Sequence, residues 1–286
     1  MSSAAAAPRT SLDHRRTPLA GARRPWALGL GRRGRPRWWA ELLLIALCYG
    51  AYSVTRNAVP DHRAAALARA QQLLDAERRL HVSFELALNH AADHVTWLIV
   101  GMDYYYATLH FVTTVGCLVW LYVRHPHHYR AARTALYAAT LAALAGFYAY
   151  ALAPPRFLSG DGFIDTVVVH HTWGSWASGP VTEVSNQYAA MPSIHIAWAT
   201  WCAVVLFRLA RTRFVRLAAL LYPVATCVVI LATGNHFEAD AVAGLLTIGA
   251  GFALQRALTG RPALPRTRRP APATSQDKSQ VDWSAR

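Results

Sequence analysis

The chain has 286 residues, of which 54% are hydrophobic and only 15% charged, well under the share of about 25% in an ordinary soluble domain. Its formal net charge is +14, yet the basic residues flank long apolar runs and accompany no recognition motif for nucleic acid. This composition points to a polytopic membrane protein and leaves nucleic-acid binding only a weak runner-up explanation of the charge.

Residues 1–37 are rich in Ala, Pro and paired Arg. They are expected to form a disordered basic tail, and no apolar run marks a cleavable signal peptide. The first span is predicted from Trp38 to about Thr55, with Trp38 and Trp39 as interfacial anchors and Glu41 near the headgroups. Residues 60–93 interleave charge with Leu67, Leu73, Leu74, Leu80, Phe84 and Leu88. That spacing predicts an amphipathic helix or helix pair on the outer face, from which Glu77 and Glu85 either reach toward a site or, as favoured for each alone, form part of a solvated face. The second span runs from about Val95 to Val123. Asp103 and His110 stand seven apart in it, on one helix face with Tyr106 between them. Ionisable residues inside a span are functional candidates; a buried network serving only packing is the equal alternative.

The third span covers about Ala132 to Leu152 and stops at Ala153-Pro-Pro-Arg156, where the prolines end the helix. The chain then stays outside the membrane to about Ala189. This long loop carries Asp161, Asp165, His170, His171, Trp173, Trp176 and Glu183, and its residues 157–187 are expected to cap a site. The fourth span runs from about Ala190 to Leu209, the fifth from Phe214 to about Thr233, and the sixth from Phe237 to about Leu258. Residues 259–286 form a second expected basic, disordered tail. Most of the 29 Lys and Arg lie in the tails and in the segments 124–133 and 208–216. The positive-inside rule therefore puts both termini in the cytoplasm and the segments 154–189 and 234–237 together on the outer face. The fold class expected is all-α: six transmembrane helices over 38–258, an outer amphipathic helical segment and a cap loop, in the cell membrane. Cys48, Cys117, Cys202 and Cys227 lie within apolar runs and read as buried thiols, not disulfides.

Five residues at outer ends of spans suit work on a phosphate ester. Pro192 precedes Ser193 as at a helix start, so Ser193 and nearby backbone N–H groups would meet a phosphate at a positive helix end. His195 follows on the first turn as an acid for a leaving oxygen. His236 has Asp240 at i+4, able to orient its ring and leave the other nitrogen to attack phosphorus. Arg156 offers a guanidinium for phosphate oxygens. Neither histidine pattern is specific alone; their placement at one face raises its weight. His90 and His94, with Asp93, have the spacing of two metal ligands, but no third ligand follows, so neither metal nor cofactor is expected.

Met191-Pro-Ser-Ile-His195 and His236-Phe-Glu-Ala-Asp240 resemble the second and third signatures of the type 2 phosphatidic acid phosphatase superfamily. Tyr104-Tyr-Tyr-Ala-Thr-Leu-His110, Ala153-Pro-Pro-Arg156, Gly162-Phe-Ile-Asp165, Tyr188-Ala-Ala-Met191 and Thr233-Gly-Asn-His236 resemble its inositolphosphotransferase branch, the one containing the aureobasidin-sensitive ceramide enzyme. The resemblance covers residues 64–258. It implies a phosphohistidine formed on His236, oriented by Asp240, with His195 as general acid, Arg156 and Ser193 on the phosphate, and Asp103, His110, Asp165 and Asn235 in support. The chain departs from the broad family where Ala149 replaces a lysine, and where Val229 and Ile230 replace a Ser-Arg pair. His170 or His171 is then a candidate for the remaining phosphate charge. The expected partners are a membrane lipid phosphate and a polyol or sugar acceptor, with no oligomeric state assigned. Transfer to water, as in a lipid phosphate or polyprenyl phosphate phosphatase, and non-catalytic lipid binding or transport are the alternatives.

Overall fold

A computed structural model describes residues 36–57, 63–172 and 188–264. The greater part of both expected tails, and the loop residues Trp173, Trp176 and Glu183, fall outside these. The described chain is helical throughout, apart from short loops and one isolated bridge between Leu152 and Ala189. In order come α1 (Trp38–Asn57), α2 (Arg63–Leu80), α3 (Glu85–Asp93), α4 (Thr96–Tyr104), a π-helical turn (Tyr105–Leu109), α5 (His110–Arg124) and α6 (Pro126–Ala149). Two single 3₁₀ turns and the short α7 (Thr166–Val169) follow, then α8 (Ile194–Leu209), α9 (Arg213–Ala232) and α10 (Glu238–Thr259).

A helix stands at each of the six positions expected to span. Three are long and apolar enough to cross a membrane: the continuous Thr96–Arg124, Arg213–Ala232 and Glu238–Thr259; Trp38–Cys48 and Ile194–Leu209 are shorter apolar stretches. α6 begins earlier than expected because Pro126, with no N–H to satisfy, suits the first helical turn. That turn also brings in His127 and His128. Apolar side chains cover the outside of the long helices, among them Val112, Val115 and Val119 on α5, Leu217, Leu221 and Val224 on α9, and Leu245 and Leu246 on α10. So broad an exposed apolar surface marks a membrane protein.

The main core lies between α5, α6, α8 and α10. It is built on Leu121, Leu136, Trp201, Val205 and Ile248, with small Ala132 and Ala139 letting the helices close. The Trp201 indole N–H donates to the Ala132 carbonyl at 2.9 Å, and the Trp198 indole N–H to Thr140 Oγ1 at 3.0 Å. The four cysteines are free thiols. Glu41 is buried instead of meeting headgroups: it pairs with Arg133 of α6 and accepts from the Tyr129 hydroxyl at 3.0 Å.

α2 is the amphipathic helix expected, but its buried stripe is Ala66, Ala70, Leu74 and Glu77. Leu80 and Phe84 are 72% and 58% exposed. The small alanines let the helix settle against Leu152, Ala153, Leu158 and Phe237, with Leu74 buried among them and Leu67 and Leu73 packed at the margin. This second core joins α2 to the loop after α6 and to the turn before α10.

Candidate active site

Ser193 is the N-cap of α8: its backbone is extended and its hydroxyl oxygen accepts from Ile196 N at 3.4 Å. Pro192 therefore precedes the cap instead of occupying the first helical position. His195 follows on the first turn. At the other end of the site, the chain leaves α9 through Gly234, whose φ of +62° is one that glycine adopts without Cβ strain. This turn delivers Asn235 and His236, whose backbone N–H groups both donate to the Ile230 carbonyl, at 3.1 and 3.2 Å. α10 then starts, and Asp240 closes its first turn by accepting from Phe237 N at 3.0 Å.

The same Asp240 oxygen, Oδ2, lies 3.2 Å from His236 Nδ1. Asp240 is fully buried and His236 is 3% exposed. A carboxylate in that position favours the tautomer with hydrogen on Nδ1 and leaves the lone pair on Nε2. His236 Nε2 is buried and has no hydrogen-bond partner. The His195 ring faces it, with centroids 5.6 Å apart.

The two loops are also tied through their backbones. Ser193 N donates to the Asp240 carbonyl at 3.0 Å. α10 can approach so closely because position 244 is glycine: a Cβ there would come within 2.5 Å of the Ser193 carbonyl oxygen. Arg156 joins from a third segment, its backbone N donating to the Gly234 carbonyl at 2.9 Å. Its guanidinium pairs with Asp165 at 3.2 Å and lies over the Phe157 ring. Asp165 also caps α7 through Val168 N. Asn89 of α3 braces this corner, donating to the Ala232 and Ile164 carbonyls and accepting from Ile164 N.

Arg156, Ser193, His195, His236 and Asp240 are thus drawn into one region by three loops. The supporting candidates divide. His110 packs edge-on against His195 at 4.2 Å, whereas Asp103 accepts from Thr166 and Thr172 at 2.8 Å each and secures the loop around α7. The expected shared face of Asp103 and His110 does not form, because the π turn between them inserts an extra residue and rotates His110 by about 100° relative to a continuous α-helix. Asn235 turns to Thr233, donating to its Oγ1 at 2.8 Å. His170 pairs with Asp93 at 2.7 Å, and His90 Nε2 lies 2.8 Å from the Gly162 carbonyl oxygen. Val229 and Ile230, at the positions of the missing Ser-Arg pair, are core residues.

Spacing alone did not assign Tyr106 to this site. It stacks on His195 at 4.2 Å between centroids, with an interplanar angle of 22°, and lies 6.2 Å from His236. Its position in the π turn aims it there, and π turns leave no periodic mark in a sequence.

A family model described as the PAP2 superfamily matches residues 71–254. No curated protein and no solved structure matches the chain significantly.

Proposed function

The chain belongs to the PAP2 superfamily, and from that premise we propose that it transfers a phosphate-linked group from a membrane lipid to an alcohol, in the manner of an inositolphosphotransferase, through a phosphohistidine on His236. Superfamily membership suggests phosphatase or phosphotransferase activity on lipid phosphates. The observation carrying the phosphohistidine, which phosphatase and transferase share, is His236 itself: Nδ1 is held by Asp240, and Nε2 is buried, without a partner, beside His195.

In the first step His236 Nε2 forms a bond to phosphorus while the bond from phosphorus to the leaving oxygen breaks. His195, protonated once the charge of the bound phosphate lies beside it, gives its proton to that oxygen. Asp240 stabilises the charge that develops on the His236 ring. In the second step an acceptor hydroxyl gives its proton to His195, and the acceptor oxygen displaces His236 from phosphorus. Arg156 and the positive end of α8 beside Ser193 receive the phosphate oxygens. Arg156 does so by exchanging Asp165 for the substrate. No step calls on a metal or a cofactor.

The reading includes six spans, both termini in the cytoplasm and the site at the outer face. The arginine-bearing segments 124–133 and 208–216 then face inward, and the loops bearing Arg156, Ser193 and His236 face outward. The resemblance of residues 104–110, 153–156 and 188–195 to the inositolphosphotransferase branch is what favours an alcohol acceptor over water in this reading.

Turnover tests the reading directly. Purified protein in detergent is given phosphatidic acid, a polyprenyl phosphate or phosphatidylinositol, with and without a polyol, and His236→Ala serves as the control. Acceptor-dependent phosphoester that vanishes in the variant is the expected result. Free phosphate as the sole product would make the protein a phosphatase. Tight lipid binding without turnover, unchanged in the variant, would replace catalysis with lipid binding.

A further inference from the structure

Beside the histidine site, three glutamates from separate elements meet. Glu77 ends the buried stripe of α2, Glu85 starts α3 and Glu238 starts α10. One carboxylate oxygen from each lies within 4.8 Å of the other two. Each carboxylate is anchored through Oε1. Glu77 accepts from Ala239 N at 2.8 Å, Glu85 from Ser83 Oγ at 3.0 Å and Glu238 from Phe84 N at 2.6 Å. The remaining oxygen of each, Oε2, is buried and faces no N–H or hydroxyl donor, so that within the cluster only a proton shared between Glu85 and Glu238 could bridge them. Glu85 is fully buried and Glu77 is 4% exposed. Among the described residues none of the three forms an ion pair.

Two buried carboxylates and the half-buried Glu238, each with one oxygen fixed and one facing no donor, demand compensation by bound charge. Burial, and then the charges of Glu85 and Asp240, push the Glu77 carboxyl up to about 7, as expected where compensation is missing. An all-carboxylate donor set selects hard cations. The burial leaves little room for the hydration shell that magnesium retains, whereas calcium accepts irregular oxygen cages.

We propose that Glu77, Glu85 and Glu238 form a binding site for a divalent cation, calcium in preference to magnesium, that ties α2 and α3 to the N-terminus of α10. Glu238 is two residues beyond His236, so the ion fixes the helix start from which Asp240 holds the histidine. It takes no part in the phosphoryl chemistry, and its binding stands or falls separately from the turnover assay.

Full-length protein in detergent, stripped with a chelator, is titrated with calcium and with magnesium by calorimetry, and its thermal unfolding is followed at neutral pH. The expected result is one calcium per chain, a midpoint raised by several degrees, and at least tenfold weaker binding of magnesium. Glu85→Gln and Glu77→Gln keep the shape of the side chain and remove one charge; each should weaken calcium binding at least tenfold. Absence of stoichiometric calcium binding to the unsubstituted protein would overturn the proposal, whatever the variants do. Undiminished binding in both variants would place the ion elsewhere and overturn it equally. A variant more stable than the calcium-loaded parent would show that a shared proton, not a cation, neutralises the cluster.

Discussion

His195 and His236 are separable by the chemistry of the leaving group. A general acid matters in proportion to the basicity of the departing oxygen. His195→Asn should therefore lower turnover of an alkyl phosphate ester about 10²- to 10⁴-fold and spare most of the turnover of an aryl ester such as 4-nitrophenyl phosphate. Equal losses on both substrates, in steady-state rates, would remove His195 from the role of acid. In the proposed mechanism Tyr106 acts through His195. Its stacked ring is worth about 0.5–1.5 kcal/mol beyond its area, so Tyr106→Leu should lower kcat by about 2- to 12-fold. Tyr106→Phe, which retains the ring, should restore most of the loss. A phenylalanine variant as impaired as the leucine one would assign the effect to the hydroxyl.

At the scale of elements, the approach of α10 to the start of α8 rests on Gly244. A helical Gly→Ala change gains up to about 1 kcal/mol of helix propensity where space allows. At Gly249 nothing lies within 4 Å of the added methyl, so Gly249→Ala should be neutral or slightly stabilising. At Gly244 the methyl would meet the Ser193 carbonyl at 2.5 Å and Ile196 Cβ at 3.1 Å. Overpacking of that kind costs about 1–3 kcal/mol, and the clash wins. Gly244→Ala should lower the unfolding midpoint in detergent and depress turnover by displacing Ser193. Thermal scans of the two alanine variants side by side check this. Elements of this kind also mark how far the sequence was readable. The His236–Asp240 pair was legible because i+4 spacing at a helix start is local information, and the helices were legible from apolar runs. The division of Asp103 from His110 was not, because it depends on a π turn. The expected stripe of α2 held at Leu74, with Leu67 and Leu73 at its margin, but missed Ala66 and Ala70, because hydrophobicity ranks leucine above alanine whereas close packing uses the smaller residue. The three glutamates meet only through tertiary packing, and singly each resembles a solvated charge.

The whole molecule presents long apolar helices with a polar site at one end, and its orientation is open to labelling. With Cys48 and Cys227 replaced, Gly160→Cys in the loop after Arg156 should react with a membrane-impermeant maleimide applied to intact cells. Arg211→Cys, between α8 and α9, should react only after the cells are opened. The reverse pattern would turn the site inward and overturn the proposed topology. Among the site residues, His170 is committed to Asp93, and Asp240 has the widest reach. Its carboxylate meets His236 Nδ1 and Phe237 N, while its carbonyl receives Ser193 N. A single residue thereby joins the two histidine-bearing segments as a rigid joint. Evolution can alter neither side of that joint without disturbing the other, so changes of lipid or acceptor must accumulate elsewhere. Asp165, held to Arg156 by a replaceable ion pair on a separate loop, is where descendants of this scaffold have freedom to diverge.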